Sequence, residues 1–150
     1  MFIAITDGHR AQVQKYGTLV ARIFMGGFFL LAGLGKIGGQ FAGTVGYAGS
    51  MGVPTPELAV LLTIIIEIGA GLMLIVGWHV GHAAAALIGF TVLATGFFHH
   101  PGLWDPKNPT QQIMFMKNLA IIGGLLYMLG YGAGTGPAIK DTCCSVTKTS

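Results

Sequence analysis

Charge is scarce in this sequence. Charged residues make up 9% of the chain against 53% apolar ones, where soluble domains carry about a quarter charged. Such a chain has no water-facing surface of ordinary size, and the mean hydropathy of +0.71 agrees. The formal net charge of +3 comes without a basic stripe, so no surface offers itself to nucleic-acid phosphates. Cysteine is nearly absent: Cys143 and Cys144 stand side by side near the C-terminus. Adjacent cysteines are strained as a mutual disulfide, and the pair fits neither C-x-x-C nor a paired zinc motif. In a reducing cytoplasm both are expected as free thiols. The chain also lacks a G-x-S-x-G elbow, a Walker loop, an H-E-x-x-H motif and a dinucleotide fingerprint. Gly33-Leu34-Gly35-Lys36 lacks the spacing and the Ser/Thr of a phosphate loop. Low-complexity tracts and repeats of about 20–50 residues are missing too.

Long apolar runs are what the sequence does have. About 20 apolar residues cross the hydrocarbon of a bilayer, and four runs reach that length: 18–37, 58–77, 80–100 and 113–131. The fold class expected is therefore all-α, an integral membrane bundle of four transmembrane helices in a single domain, residues 1–150. The 25 glycines sit inside apolar runs, as in membrane bundles, and not in a separate flexible tract. A Gly-rich loop with Pro54 and Pro56 is expected between the first two spans. Trp78 to Gly81 is so short that spans two and three must form an antiparallel hairpin. A polar stretch with Asp7, His9, Arg10 and Lys15 precedes the first apolar run, and no A-x-A site follows it. That run is expected to stay as a span and not to be cleaved as a signal peptide.

Lysines and arginines in short flanks set the orientation. Arg10, Lys15, Lys140 and Lys148 flank the two ends of the chain, while the loop between spans three and four has only Lys107. Both termini are thus expected in the cytoplasm. The localisation expected is a cell membrane of the bacterial inner-membrane type, crossed several times.

Residues four or seven apart share a helical face. Arg22, Gly26, Phe29, Gly33 and Lys36 align in the first span, and Thr63, Glu67 and Gly71 in the second. His82, Gly89, Gly96 and His100 align in the third, and Lys117, Gly124 and Tyr131 in the fourth. Small residues favour close helix approach, and polar residues avoid lipid. Each of these faces is expected to point into the bundle.

Glu67 lies ~14 Å into its span at 1.5 Å per residue, where a charge costs about 2.5–3.5 kcal/mol. Lys117 and Asn118 enter the fourth span from the same outer side, Lys36 ends the first, and His99 and His100 cap the third. A polar intramembrane site from Lys36, Glu67, His100, Lys117 and Asn118 is expected in the outer half, centred on a Glu67–Lys117–Asn118 cluster. Arg22 lies nearer the inner end. The same residues also fit a plainer role, as polar pins that hold four helices in register, with Arg22 and Lys36 snorkelling to the two interfaces. Trp78 and Trp104 at span ends fit an aromatic belt. Met114 and Met116 fit lipid or core packing. No metal site is expected. His82 and His100 are at opposite ends of one span, and no other span supplies a histidine for haem.

Ala32-Gly33-Leu34-Gly35-Lys36-Ile37, Gly52-Val53-Pro54-Thr55-Pro56 and Glu67-Ile68-Gly69-Ala70-Gly71-Leu72 occur in order. Phe97-Phe98-His99-His100, Met116-Lys117-Asn118-Leu119-Ala120 and Gly123-Gly124-Leu125-Leu126 follow. From about Tyr16 to Gly134 this series resembles the DoxX family. The resemblance implies a four-helix membrane fold with Lys36, Glu67, Lys117 and Asn118 as its polar heart. It also implies an association with membrane redox systems, the family's name deriving from a subunit linked to thiosulfate:quinone oxidoreduction. Fold analogy does not fix chemistry. One expectation is an accessory, quinone-interacting subunit of an oxidoreductase, with no cofactor of its own. Another is a non-catalytic subunit that stabilises a larger membrane complex. A third is a small-solute transporter. Partners expected are the lipid bilayer and other membrane subunits or further copies of the chain, and no nucleic acid.

Overall fold

The computed structural model describes residues 7–100, 102, 104–107 and 109–139. Cys143, Cys144, Lys140 and Lys148 lie outside the described residues. Five helices follow one another: α1 Asp7–Leu34, α2 Gly39–Ser50, α3 Pro56–Val76, α4 Val80–Phe98 and α5 Thr110–Tyr131. Four of them, α1, α3, α4 and α5, are long and apolar enough to cross a membrane. They correspond to the four expected runs, with ends within about three residues except at the start of α1, which begins 11 residues before the expected 18.

Close backbone contact sets the pairing of α1 with α3. A Cβ on Gly26 would lie 2.5 Å from the Gly71 carbonyl oxygen, and one on Gly71 would lie 2.8 Å from that of Gly26. Two turns on along α1 and one turn back along α3, a Cβ on Gly33 would meet Ile68 Cγ1 at 2.8 Å and Glu67 Cβ at 3.1 Å. The two helices therefore touch along a seam that only glycine permits, and dispersion over that seam supplies the attraction that lipid does not. α3 packs in turn on α4, and α4 on α5. Phe29, Leu74, Ala83, Ala84, Leu87 and Leu125 form the buried centre, with the Phe29 ring edge-on to Phe90 at 6.5 Å. The α3–α4 hairpin turns at Gly77, whose φ of 76° suits glycine. The Trp78 amide reaches back to the Met73 carbonyl at 2.9 Å, closing the end of α3 in a Schellman motif.

The expected loop between the first two spans is instead largely helical. α2 runs for 12 residues. Glycine reads as a loop signal in water, but in an apolar environment it is tolerated inside helices. α2 lies against the first half of α3, where Ala48 packs with Val60 and Ile64 among Phe41, Val45 and Ile68. Its far end approaches Pro56, which would lie 3.6 Å from a Cβ on Gly49. Tyr47 stacks on Phe98 at 5.5 Å.

α1 therefore ends partway along α3, and α2 continues beside it. α1 reaches the level of Glu67, ~14 Å from the Val76 end of α3 at 1.5 Å per residue, and stops at Leu34. The chain turns through Gly35–Gly38, and α2, ~18 Å long by the same rise, follows α3 back to its start. Gly38 adopts φ 73° and ψ −132°, a combination open essentially to glycine alone.

The glycine seam makes a direct prediction. Gly71→Val places a side chain against the Gly26 carbonyl and the Leu30 amide, and overpacking of this kind costs about 1–3 kcal/mol. Thermal unfolding in detergent should shift clearly downward for Gly71→Val. It should move little for Gly27→Ala, since nothing lies within 4 Å of that position.

Candidate functional site

The turn between α1 and α2 places Lys36 beside Glu67. Lys36 Nζ stands 2.6 Å from Glu67 Oε2 and also donates to the Ala32 carbonyl at 3.0 Å. The ammonium thus neutralises a carboxylate and caps the end of α1, where free carbonyls gather negative charge. The Gly35, Lys36 and Ile37 amides bond back to Leu31, Gly33 and Leu34 at 2.9–3.1 Å. Backbone that leaves the helix at membrane depth must find such partners. The two side chains are unequally covered. Glu67 is 4% exposed and Lys36 is 25% exposed, so the carboxylate is enclosed and the ammonium can be reached from the side.

A second polar group lies between α4 and α5. Buried Asn118 donates through Nδ2 to Thr95 Oγ1 at 2.9 Å. Thr95 donates to the Thr91 carbonyl at 2.6 Å, and Thr91 to the Leu87 carbonyl at 2.7 Å. Nearer the rim, His99 Nδ1 and Gln111 Oε1 are 2.6 Å apart. Thr91, Thr95 and Gln111 were not singled out in the sequence. The four-residue spacing of the threonines, opposite an intramembrane asparagine, was the available signal.

The other candidates are spread apart. Lys117 is exposed, with Nζ 3.2 Å from Met114 Sδ and 5.6 Å from the centre of the Phe28 ring. His100 sits exposed in the loop, its Nδ1 accepting from the Gly102 amide at 3.1 Å. Arg22 is buried in the middle of α1, level with the Gly77 end of α3, and donates to the Pro137 carbonyl. Glu67 therefore pairs with Lys36, while Asn118 bonds to Thr95 and Lys117 turns to Met114.

The faces explain this. The stripes of the first two spans do point inward: Arg22, Phe29 and Glu67 are buried. The stripe of the third does not, since His82, Gly89, Gly96 and His100 are all exposed. The buried face of α4 is Val80, Ala83, Ala84, Leu87 and Thr91, because alanines allow close packing as well as glycines do and leucine fills the centre. On α5 the inward residues are Asn118, Leu125 and Met128. Lys117 stands one residue, ~100°, away from Asn118 at 3.6 residues per turn. It faces the side of the bundle where α1 and α5 meet through Met25 and Gly124.

Four helices apolar and long enough to cross a membrane, with a buried carboxylate paired to a partly open ammonium between them, define a polytopic helical membrane protein with a polar centre. The chain belongs to the DoxX family, whose sequence profile matches residues 17–100. It is 42% identical over 82% of its length to inner membrane protein YqjF of Escherichia coli (strain K12), covering 89% of that protein. It is 32% identical over 77% of its length to inner membrane protein YphA of the same organism, covering 83% of it. No solved structure matches the chain. The matched region includes Lys36 and Glu67 and ends at His100, and α5 follows it. The protein is thus a multi-pass membrane protein with relatives in a bacterial inner membrane.

Removing one partner of a buried pair leaves the other charge uncompensated, at about 3–5 kcal/mol. Lys36→Met should therefore destabilise the protein more than the double change Lys36→Met with Glu67→Gln, as read from unfolding midpoints in detergent. Equal losses for the single and double variants would mean that the two charges do not compensate each other.

Proposed function

We propose that this protein is an accessory subunit of a membrane redox system, and that the Lys36–Glu67 pair holds the head group of a quinone. The observation that carries the reading is the uneven exposure of a charge pair at mid-depth: Glu67 enclosed at 4%, Lys36 open at 25%. A quinone travels within the bilayer and presents carbonyl oxygens, which accept hydrogen bonds and do not donate them. The Lys36 ammonium is a donor within reach of such a visitor. Glu67 aims that ammonium, and the Ala32 carbonyl accepts from it as well. Electrons for the quinone would be exchanged by a partner subunit, and this chain's residues bind and orient. Both termini are placed in the cytoplasm in this reading, with Arg10 and Lys15 at the inner end of α1.

A non-catalytic structural role is favoured by a different observation. The same ammonium ties the end of α1 to α3, and it would do so in a subunit whose task is only to brace a larger assembly.

A photoreactive quinone analogue added to native membranes separates the two. Under the proposal it labels a peptide from residues 31–45 or 60–70, excess native quinone competes, and Lys36→Met cuts the labelling about tenfold, the loss of roughly one charge-assisted hydrogen bond. Absent labelling, or labelling unchanged by Lys36→Met in folded protein, would leave the bracing role as the better account.

A further inference from the structure

Far from that pair, at the other end of the bundle, Arg22 is 1% exposed. Its Nη2 donates to the Pro137 carbonyl, while Nε and Nη1 have no hydrogen-bond partner among the described residues. A guanidinium has five N–H donors and a permanent charge. One neutral carbonyl cannot compensate it, and a buried charge without a counter-ion is among the costliest arrangements in a protein. The described carboxylates are elsewhere. Glu67 is held by Lys36, Glu57 lies in the first turn of α3 at its opposite end, and Asp105 lies in the α4–α5 loop, bonded to the Lys107 amide.

What covers Arg22 is a short strap, residues 132–139, that follows α5. It lies on α1 through two glycines: a Cβ on Gly136 would meet the Lys15 carbonyl at 2.6 Å, and one on Gly134 would meet the Thr18 side chain at 2.7 Å. Its end is tied to α3 by one backbone hydrogen bond, Ile139 amide to Val76 carbonyl at 3.1 Å. Arg22 stands level with Gly77, past the last residue of α3, so the strap marks the end of the bundle. Arg10 and Lys15 precede Arg22 on α1, so this end of the bundle carries three basic residues.

We infer that Arg22 is a phosphate-binding residue, and that the Pro137 carbonyl occupies the place a phosphate oxygen takes when the strap moves aside. The chemistry is that of an oxyanion against a guanidinium fork. Two sources share it, the phosphate of an anionic lipid head group and free phosphate from the aqueous side.

The test uses the full chain in a phosphate-free maltoside detergent, in a Trp104→Phe background so that Trp78, next to Gly77, reports the strap. Inorganic phosphate and phosphatidylglycerol in mixed micelles are added separately, and fluorescence and the unfolding midpoint are followed. The expected result is a saturable change in Trp78 emission and a rise in midpoint of about 5 °C. Both effects should be lost in Arg22→Gln and retained in Lys15→Gln. A response to inorganic phosphate identifies a free oxyanion as sufficient; a response to phosphatidylglycerol alone identifies the head group. Should Arg22→Gln fail to fold, Arg22→Lys keeps the charge without the fork and should bind at least tenfold more weakly. No response to either probe in the parent protein, or an equal response in folded Arg22→Gln or Arg22→Lys, overturns the inference.

Discussion

The contact of two backbones at Gly26 and Gly71 governs the rest of the molecule. In lipid the hydrophobic effect does not press helices together, so van der Waals contact has to come from surfaces that fit closely. Once the Gly71 and Gly26 carbonyls face each other's helices at this range, the register of α1 against α3 is fixed. That register brings Gly33 against Glu67 and Arg22 level with Gly77. The places of Arg22 and Glu67 at the two ends of this contact both follow from one seam, and neither could be displaced by a turn without breaking it.

The second constraint is the demand of the peptide groups. A chain that leaves the helix at Leu34, about halfway along α3, frees carbonyls that need partners of their own wherever lipid surrounds them. The protein meets this with a tight turn through Gly35 and Gly38, and with a lysine that folds back onto Ala32. The carboxylate of Glu67 then has a partner already in place. The ion pair and the α1–α2 turn are therefore one arrangement: the lysine that closes the helix end is the lysine that pairs with the acid.

Much of this was legible in the sequence. Composition and apolar runs gave the class and four of the five helices, because length and hydropathy are dictated by the bilayer. The stripe Arg22, Gly26, Phe29, Gly33, Lys36 gave the inward face of α1 correctly, since glycine and charge there obey the same rule. Two things were hidden. Gly39, Gly43, Gly46 and Gly49 read as loop, although their spacing is helical and their surroundings apolar. Without α2, Lys36 looked like the outer end of a full-length span, and Glu67 was matched with Lys117 and Asn118 instead. On α4 the rule of small residues misled, because alanine and glycine both qualify: Ala83 and Ala84 took the core and Gly89 and Gly96 faced outward. Periodicity identifies a face, but which of two small-residue faces is buried depends on the neighbour it meets.

Because Lys36 and Glu67 lie 31 residues apart, they do not leave the ribosome together. At about 5–20 residues per second the acid emerges some seconds after the base. Until Glu67 has emerged, the ammonium that follows the first helix has only the Ala32 carbonyl to hold. Insertion of α3 is then more than the addition of another span, for it delivers the counter-charge that lets its predecessor settle at full depth. The order of synthesis, base before acid, makes the first crossing a provisional structure that the second completes.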